Sequence, residues 1–339
     1  MTQAPFYKRQ LTVEIVVPAG IQKFNYQTGK AETSEISGQR IVLQGYRTIA
    51  DIECFGQESA VAASLQIYNL PDNLMRALAG YGTNGLFNYA AVGAANLAAG
   101  VGAVVVNVYT RMSTISVSSS GGTSSASRSR IFSGSLINSV VQMRGVPDPF
   151  LAIQCNTMND ARLAPAQPLS FKGATSVATV AQTLASNMGW GFQNNGVQTV
   201  LQNPYFPGST AQQLHDLAYQ GMFSYVVDQN TLSIWPVTGS RKPGGNMPVP
   251  TVGPDNGLIG YPEFNDIGVS FRTIYRPDLR FGDQIYLDTA APNAAGNYNI
   301  RSIAHHLSAE APGGPWETAI DATFLPAALG MAESFGSSQ

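Results

Sequence analysis

The chain has 339 residues, of which only 12% are charged, with a formal net charge of -2 and a pI near 5.9. That length exceeds one ordinary core and points to two or three domains of roughly 100 to 150 residues, while a charge content well under the usual about 25% suits a subunit buried against partners better than a freely diffusing enzyme. The densest basic groupings are the pairs Lys8/Arg9, Arg128/Arg130 and Arg241/Lys242, too few to neutralise a row of phosphates, which excludes stable nucleic-acid binding from the expectations.

The opening MTQAPFYKRQLTVEIVV places Glu14 inside its only apolar run and lacks a signal-peptide core. Sec-dependent export is therefore not expected. Residues 1 to 75 read as strands, LTVEIVV, QRIVLQGYRTIADIECFG and SLQIYNL, rich in β-branched and aromatic residues and bounded by Gly, Pro or Asn. After Pro71, DNLMRAL forms a helical turn with Asp72 as its cap. From Ala77 to Thr110 no residue is charged. That run is long enough for a bilayer, but Asn88, Asn96 and its glycines make a poor spanning helix, and VVVNVYT reads as a buried strand. A Ser/Gly-rich linker follows at 113–129, and strands resume at IFSGSLINSVVQM and FLAIQCN.

Pro165 and Pro168 open a different rhythm. A strand PLSFK leads to a helix SVATVAQTLASNMG with Val177, Val180, Ala181 and Leu184 on one face and Gly189 as its stop. Strands around GFQNN and QTVLQ follow, then a helix STAQQLHDLAYQ capped by Ser209 or Thr210, with Leu214, Leu217 and Ala218 facing inward. The hairpin FSYVVDQNTLSIWP completes a β-α-β-β-α-β-β domain closing near Pro236. Beyond the Pro/Gly linker RKPGGNMPVPTVGPDNG, the strands GVSFRTIY, GDQIYLD, NYNIRSIAHHLSAE and WETAIDATFL make a second β-domain.

Catalytic signatures are sparse. Gly80, Gly82 and Gly85 match G-x-G-x-x-G, but the segment before them looks helical and no acidic residue stands at 100–110, so a dinucleotide site is not expected. No G-x-S-x-G, G-x-x-x-x-G-K-[ST] or H-E-x-x-H occurs. His305 and His306 are adjacent in a strand and point to opposite faces, and His215 lies on a polar helix position. The pairs Glu263/Asp266 and Asp278/Asp283 fall in turn-like segments serving caps, turns and solubility, yet spacing alone leaves a cell-wall hydrolase open, since glycoside cleavage rests on a carboxyl separation that sequence cannot measure. Cys54 and Cys155, far apart in strand-like stretches, read as buried thiols, and no metal or cofactor site is expected.

Several segments resemble the baseplate hub family of contractile-tailed (myovirus) phages, related to late control D proteins and to the hub part of type VI secretion spike proteins. They are SLQIYNLPDNL at 64–74, IFSGSLINS at 131–139, the stretch from SVATVAQTLASNMGW to SYVVDQNTLSIWP, GLIGYPEFNDIGVSFRTIYRPDLRFGDQIYL at 257–287 and GNYNIRSIAHHLSAEAPGGPW at 296–316. The resemblance implies a non-enzymatic homotrimer that joins the six-fold tail tube to the three-fold central spike and leaves a channel for the genome. Each chain would supply two similar tube-like modules, giving six around the ring. Its partners would be the spike, the tube protein, the tape-measure protein and other baseplate subunits, with assembly in the host cytoplasm and residence in the virion tail.

The expected architecture is α+β and mainly β, with two β-barrel-like tube domains flanking or enclosing a smaller α/β domain. The boundaries expected are 1–160 for the first tube-like domain with an Ala/Gly/Ser-rich insertion at 78–129, 161–240 for the α/β domain, 241–330 for the second tube-like domain and 331–339 for a flexible tail. The insertion departs from the plainest family pattern and is expected to pack on the tape-measure protein or a neighbouring hub chain. Turn and packing residues within the matched segments, Asn69, Pro71, Gly134, Gly260, Pro262, Pro277, Gly282, Gly296 and Trp316, are the interface candidates, each equally readable as an ordinary turn or core residue. A tail-tip adhesin, a cell-wall hydrolase and a membrane-active protein using residues 86–109 are the alternatives.

Overall fold

The structure is a computed structural model that describes residues 6–25, 28, 30–55, 60–81, 96, 101–115, 128–143, 148–163, 166–241, 248–266 and 268–324. The chain divides into two compact units, the first comprising Met1–Ile52, Ala62–Asn159 and Leu307–Pro315, the second Glu53–Val61, Asp160–His306 and Trp316–Gln339.

The first unit is built on β1 (Phe6–Val16), the hairpin β2 (Gln22–Asn25) and β3 (Lys30–Thr33), β4 (Arg40–Gln44), β5 (Thr48–Phe55), β6 (Val61–Tyr68), β7 (Val105–Ile115), β8 (Arg128–Gln142) and β9 (Phe150–Asn156). Apart from the hairpin these strands follow the order β5-β6-β9-β8-β7-β1-β4, and the pairings from β6 through to β4 are antiparallel. Alternation drives the arrangement, because successive strand side chains point to opposite faces. In β1 Leu11, Val13 and Ile15 are buried, in β5 Ala50 and Ile52, in β6 Ala63, Leu65 and Ile67, and in β7 Val106 and Val108. Each such aliphatic side chain stabilises the unit by about 1.5–3 kcal/mol through burial. VVVNVYT is thus a strand with alternate valines in the core, as read from its sequence. Among the described residues no helix is long and apolar enough to cross a membrane. The central part of the Ala/Gly run at 82–95 and 97–100, with Gly82 and Gly85, lies outside the described residues, as do 116–127 of the Ser/Gly stretch.

Glu14, the acid in the apolar run of β1, is buried and answered by Arg40, whose Nη2 donates to its Oε2 at 2.7 Å. Arg128 lies 3.8 Å from the same oxygen. The Arg40 hydrogen bond holds the Glu14 carboxyl below its ordinary range against the opposing effect of burial. The helix α1 (Asp72–Leu78) corrects one expectation: Asp72 is its first helical residue rather than its cap, with Pro71 at the N-cap making no side-chain cap bond. Asp72 instead pairs with Arg76 one turn on, at 2.8 Å.

The second unit begins with α2 (Asn159–Leu163), followed by β10 (Leu169–Ser170), β11 (Ala174–Ser176), α3 (Val177–Asn187), β12 (Gly191–Asn194), β13 (Val200–Gln202), β14 (Tyr205–Phe206), α4 (Thr210–Gly221), β15 (Phe223–Asp228) and β16 (Thr231–Pro236). β16 pairs with β12 in parallel and β15 antiparallel. Ser176 caps α3 by accepting from Ala178 N, and Ser209 caps α4 by accepting from Gln212 N. Val177, Val180, Ala181 and Leu184 are buried as expected, and Gly189, at φ 67, follows α3 in the left-handed conformation typical of a helix stop. On α4 Leu214 and Leu217 are buried but Ala218 is only half-buried. The polar Gln213 goes inward in its place, its Nε2 donating to Gln167 O at 2.9 Å and Gly208 O at 3.0 Å. Periodicity did not mark it, because a buried amide is tolerated only once its partners are in place.

The rest of the unit holds β17 (Thr251–Val252), a 3-10 turn at Pro254–Asn256, β18 (Leu258–Asn265), β19 (Gly268–Ile274), β20 (Gln284–Leu287), β21 (Gly296–Ala309) and β22 (Trp316–Phe324). The strand order is β18-β19-β22-β21, with β20 also on β21 and β17 parallel to β20. Glu263, expected in a turn, is within β18 opposite Ser270. The fold is thus mostly strand with few helices and a large antiparallel sheet, and no closed barrel is found among the described residues.

In the first unit Gly134 of β8 runs against β9: a Cβ there would lie 2.6 Å from Phe132 Cζ and 3.0 Å from the Asn156 carbonyl. Gly134→Ala is expected to lower stability by about 1–3 kcal/mol through overpacking, read as a reduced denaturation midpoint with an unchanged denaturant slope.

Candidate functional site

The second unit encloses a charge cluster that sequence did not single out. Asp228 ends β15 just before the turn Gln229–Asn230, where both residues have positive φ, 48 and 65, as a tight hairpin demands. Its Oδ2 accepts from Arg280 Nη1 at 2.5 Å and lies 3.5 Å from Arg241 Nη1. Arg241 in turn donates its backbone N–H to Gly282 O at 2.7 Å, the backbone of Arg241 forming an isolated parallel β-bridge with that of Asp283. Asp283, only 2% exposed, accepts from the backbone N–H of Arg280 at 3.1 Å. Its expected role in solubility is corrected: it is an interior acid, and burial pushes its carboxyl up to about 7, with Arg241 and Arg280 opposing and Asp228 adding to the rise.

His305 packs beside Tyr275, ring centroids 5.5 Å apart and edge-on, with Nδ1 2.9 Å from Thr318 Oγ1. Burial foremost, then Arg280, lowers its imidazole to about 4, Asp228 opposing and His306 adding, so it is neutral at pH 7. His306 is half-buried on the other side of the strand and His215 is exposed, as the alternation implies. Burial raises the Cys54 thiol to about 12 and pushes the Cys155 thiol up as well, which makes both poor nucleophiles. Among the described residues no group of three His, Cys, Asp or Glu side chains could hold a metal ion. The segment before Gly80 is the helix α1, not the strand a dinucleotide motif requires.

The nine candidates fall at structural corners. In the first unit Asn69, at φ 61, turns β6 toward α1, and Pro71 accepts from Met75 N at 2.9 Å. Gly134 is the close approach described above. In the second unit Gly282, at φ 82, joins the charge cluster, and a Cβ on it would meet Trp235 Cζ2 at 2.5 Å. Pro277 sits between Arg276 and Asp278, which form a bidentate pair at 2.8 and 2.6 Å. Trp316 is buried against Tyr275, ring centroids 5.5 Å apart. Gly296 opens β21 opposite Leu287.

Gly260 and Pro262 lie in β18, whose register with β19 shifts between Ile259 and Glu263. Gly260 takes φ 72 in open space and Pro262 is buried. Apolar side chains face outward around the register shift: Tyr261 is 74% and Phe264 55% exposed, with Ile259 of β18 and Ile274 of β19 also exposed. In the first unit a separate open groove of about 470 Å³ is lined by Lys23, Met75, Arg76, Val140 and Met143 among others. The chemistry on view is that of packing surfaces and an internal ion cluster.

The second unit thus combines strands and, among its described residues, three α-helices with an internal charge cluster and exposed apolar side chains on β18. The family described as "Baseplate hub gp41" matches residues 92–312, and the chain belongs to that family. It is accordingly a structural component of the phage tail baseplate. No curated protein sequence matches. A tail protein from Neisseria meningitidis MC58 is similar in structure, with a TM-score of 0.56 at 10% identity, covering 94% of this chain and 97% of that one. A 43 kDa tail protein of prophage MuSo2 from Shewanella oneidensis gives 0.55 at 10% identity, with 94% and 98% covered. At such identities these structures speak for the fold alone.

The buried acid and buried histidine make opposite contributions to pH dependence. Between about pH 4 and 7 Asp283 holds its proton when folded and loses it when unfolded, so its contribution falls as pH rises; His305 is neutral when folded and charged when unfolded from about 4 to its ordinary 6.5, so its contribution rises with pH. Asp283→Asn is expected to remove only the falling component, leaving a steeper rise of stability from pH 4 to 6.5 and a more stable protein at pH 8, measured by urea unfolding at each pH. An unchanged pH profile would contradict this account of Asp283.

Proposed function

We propose that the protein is a homotrimeric hub that adapts the six-fold tail tube to the three-fold central spike of a contractile tail, leaving a channel for the genome. The observation that carries this reading is the match to the baseplate hub family over residues 92–312. Two strand-rich units in one chain support it, because three chains with two tube-like modules each present six to the tube while keeping three-fold symmetry for the spike. The three-domain division, 1–160, 161–240 and 241–330, belongs to this proposal, as do the interface roles of Asn69, Pro71, Gly134, Gly260, Pro262, Pro277, Gly282, Gly296 and Trp316.

Function on this reading is geometric: the chain closes a ring, seats the spike on one side and the first tube ring on the other, and catalyses no reaction. The low-charge surface suits such permanent contacts. The spike, the tube protein, the tape-measure protein and neighbouring baseplate subunits are the proposed partners, met during assembly in the host cytoplasm. Light scattering of the purified chain, alone and mixed with its spike, is expected to give a species of three times the 36.0 kDa chain mass. A monomer in both samples would contradict the trimer.

A further inference from the structure

We propose that β18 of one copy docks on β4 of a second copy as an added strand, and that this contact closes the copies head to tail. The proposal rests on the ring-forming hub reading and names the contact that makes the ring. Among the described residues β4 pairs only with β1, and β18 only with β19. Each strand therefore has an outer edge that faces no other strand, and backbone N–H and C=O groups along an edge are a template for another strand.

Soluble monomers blunt such edges with lysine, proline, bulges or short strands. β4, Arg-Ile-Val-Leu-Gln, has no lysine, proline or glycine and keeps a regular register from Arg40 to Gln44. Pro262 and the register shift blunt the first part of β18, which leaves Glu263, Phe264 and Asn265, in regular register with β19, as the part of its edge that no described strand covers. Both strands show apolar side chains to solvent among their polar ones: Val42 is 51% exposed on β4, and Tyr261 and Phe264 on β18 exceed that. Exposed aromatic and aliphatic side chains beside an open strand edge suit an interaction site.

Charge selects the occupant. β4 carries Arg40, whose side chain remains 64% exposed although it bonds Glu14, while β18 has Glu263 with Asp266 just beyond and no basic residue. Pairing β18 with β18 would set Glu263 of two copies on one interface, and like charges facing across strands are destabilising. Pairing β18 with β4 sets acid against base. Two different edges meeting make a heterologous contact, the kind that generates a closed ring.

Cross-linking of the full-length protein decides it. Val42→Cys and Phe264→Cys replace exposed residues, while Cys54 and Cys155 are buried and poorly ionised, so a short bis-maleimide reports only the introduced pair. Mixing the two single variants is expected to give a dimer band that neither gives alone, and the double variant a ladder ending at trimer. Glu263→Arg added to the Phe264→Cys chain is expected to cut the mixed band about fivefold, the effect of roughly 1 kcal/mol. A band from Phe264→Cys alone would mean same-edge pairing and overturn the proposal. A trimer by light scattering without the mixed band would overturn the edge contact while leaving the hub reading intact, and a monomer throughout would overturn both.

Discussion

Strand edges are the constraint on which this structure turns. A chain that is mostly strand satisfies its backbone donors and acceptors by lateral pairing, and every open sheet leaves two rows without a neighbouring strand. Closed barrels remove those rows. Here the strand path of the first unit stops at β4 and that of the second at β18. On the proposed hub reading, an edge that no described strand covers is a site for a neighbour rather than a defect.

The distribution of charge follows the same logic. With only 12% charged residues, the chain places several of them in the interior. Asp228 pairs with Arg241 and Arg280 in the second unit, where Asp283 accepts from the Arg280 backbone N–H, and Glu14 takes Arg40 in the first. Breaking a buried pair by removing one partner typically costs about 3–5 kcal/mol, although its net stabilising value relative to an apolar replacement is small. What the cluster does is hold segments distant in sequence in a fixed relation: the β15–β16 hairpin at Asp228, the β-bridge at Arg241 and the turn at Arg280–Asp283. It defines the local geometry of the second unit.

Much of the fold was legible because strand and helix periods differ. β-Branched and aromatic runs bounded by Gly, Pro or Asn marked β1, β5 and β6, alternation marked β22, and a serine start marked α4 while the following Gly189 marked the end of α3. The uncharged run gave the right strand at VVVNVYT because alternate valines, not continuous apolarity, are what a half-buried strand needs. The failures have physical causes. Asp favours a helix cap, but at α1 proline fills that position and the Asp72 carboxylate turns to Arg76. β18 was hidden by Gly260 and Pro262, which normally argue against a strand and here produce a bulge. The charge cluster was invisible because Asp228, Arg241, Arg280 and Asp283 meet only through tertiary structure; the single hint was Asp228 ending an otherwise apolar strand at a hairpin turn. Of the nine candidates, Gly134 and Gly282 have the clearest structural necessity, since a methyl group at either meets neighbouring atoms closer than real side chains allow.

The central claim is that three copies form one hub between tube and spike. Counting chains in purified tails by quantitative mass spectrometry, with labelled peptides of this protein and of the tube protein as standards, tests it most directly. The account predicts three copies per tail against six tube subunits per ring. Six copies of this chain per tail, or a number that scales with tail length, would contradict it.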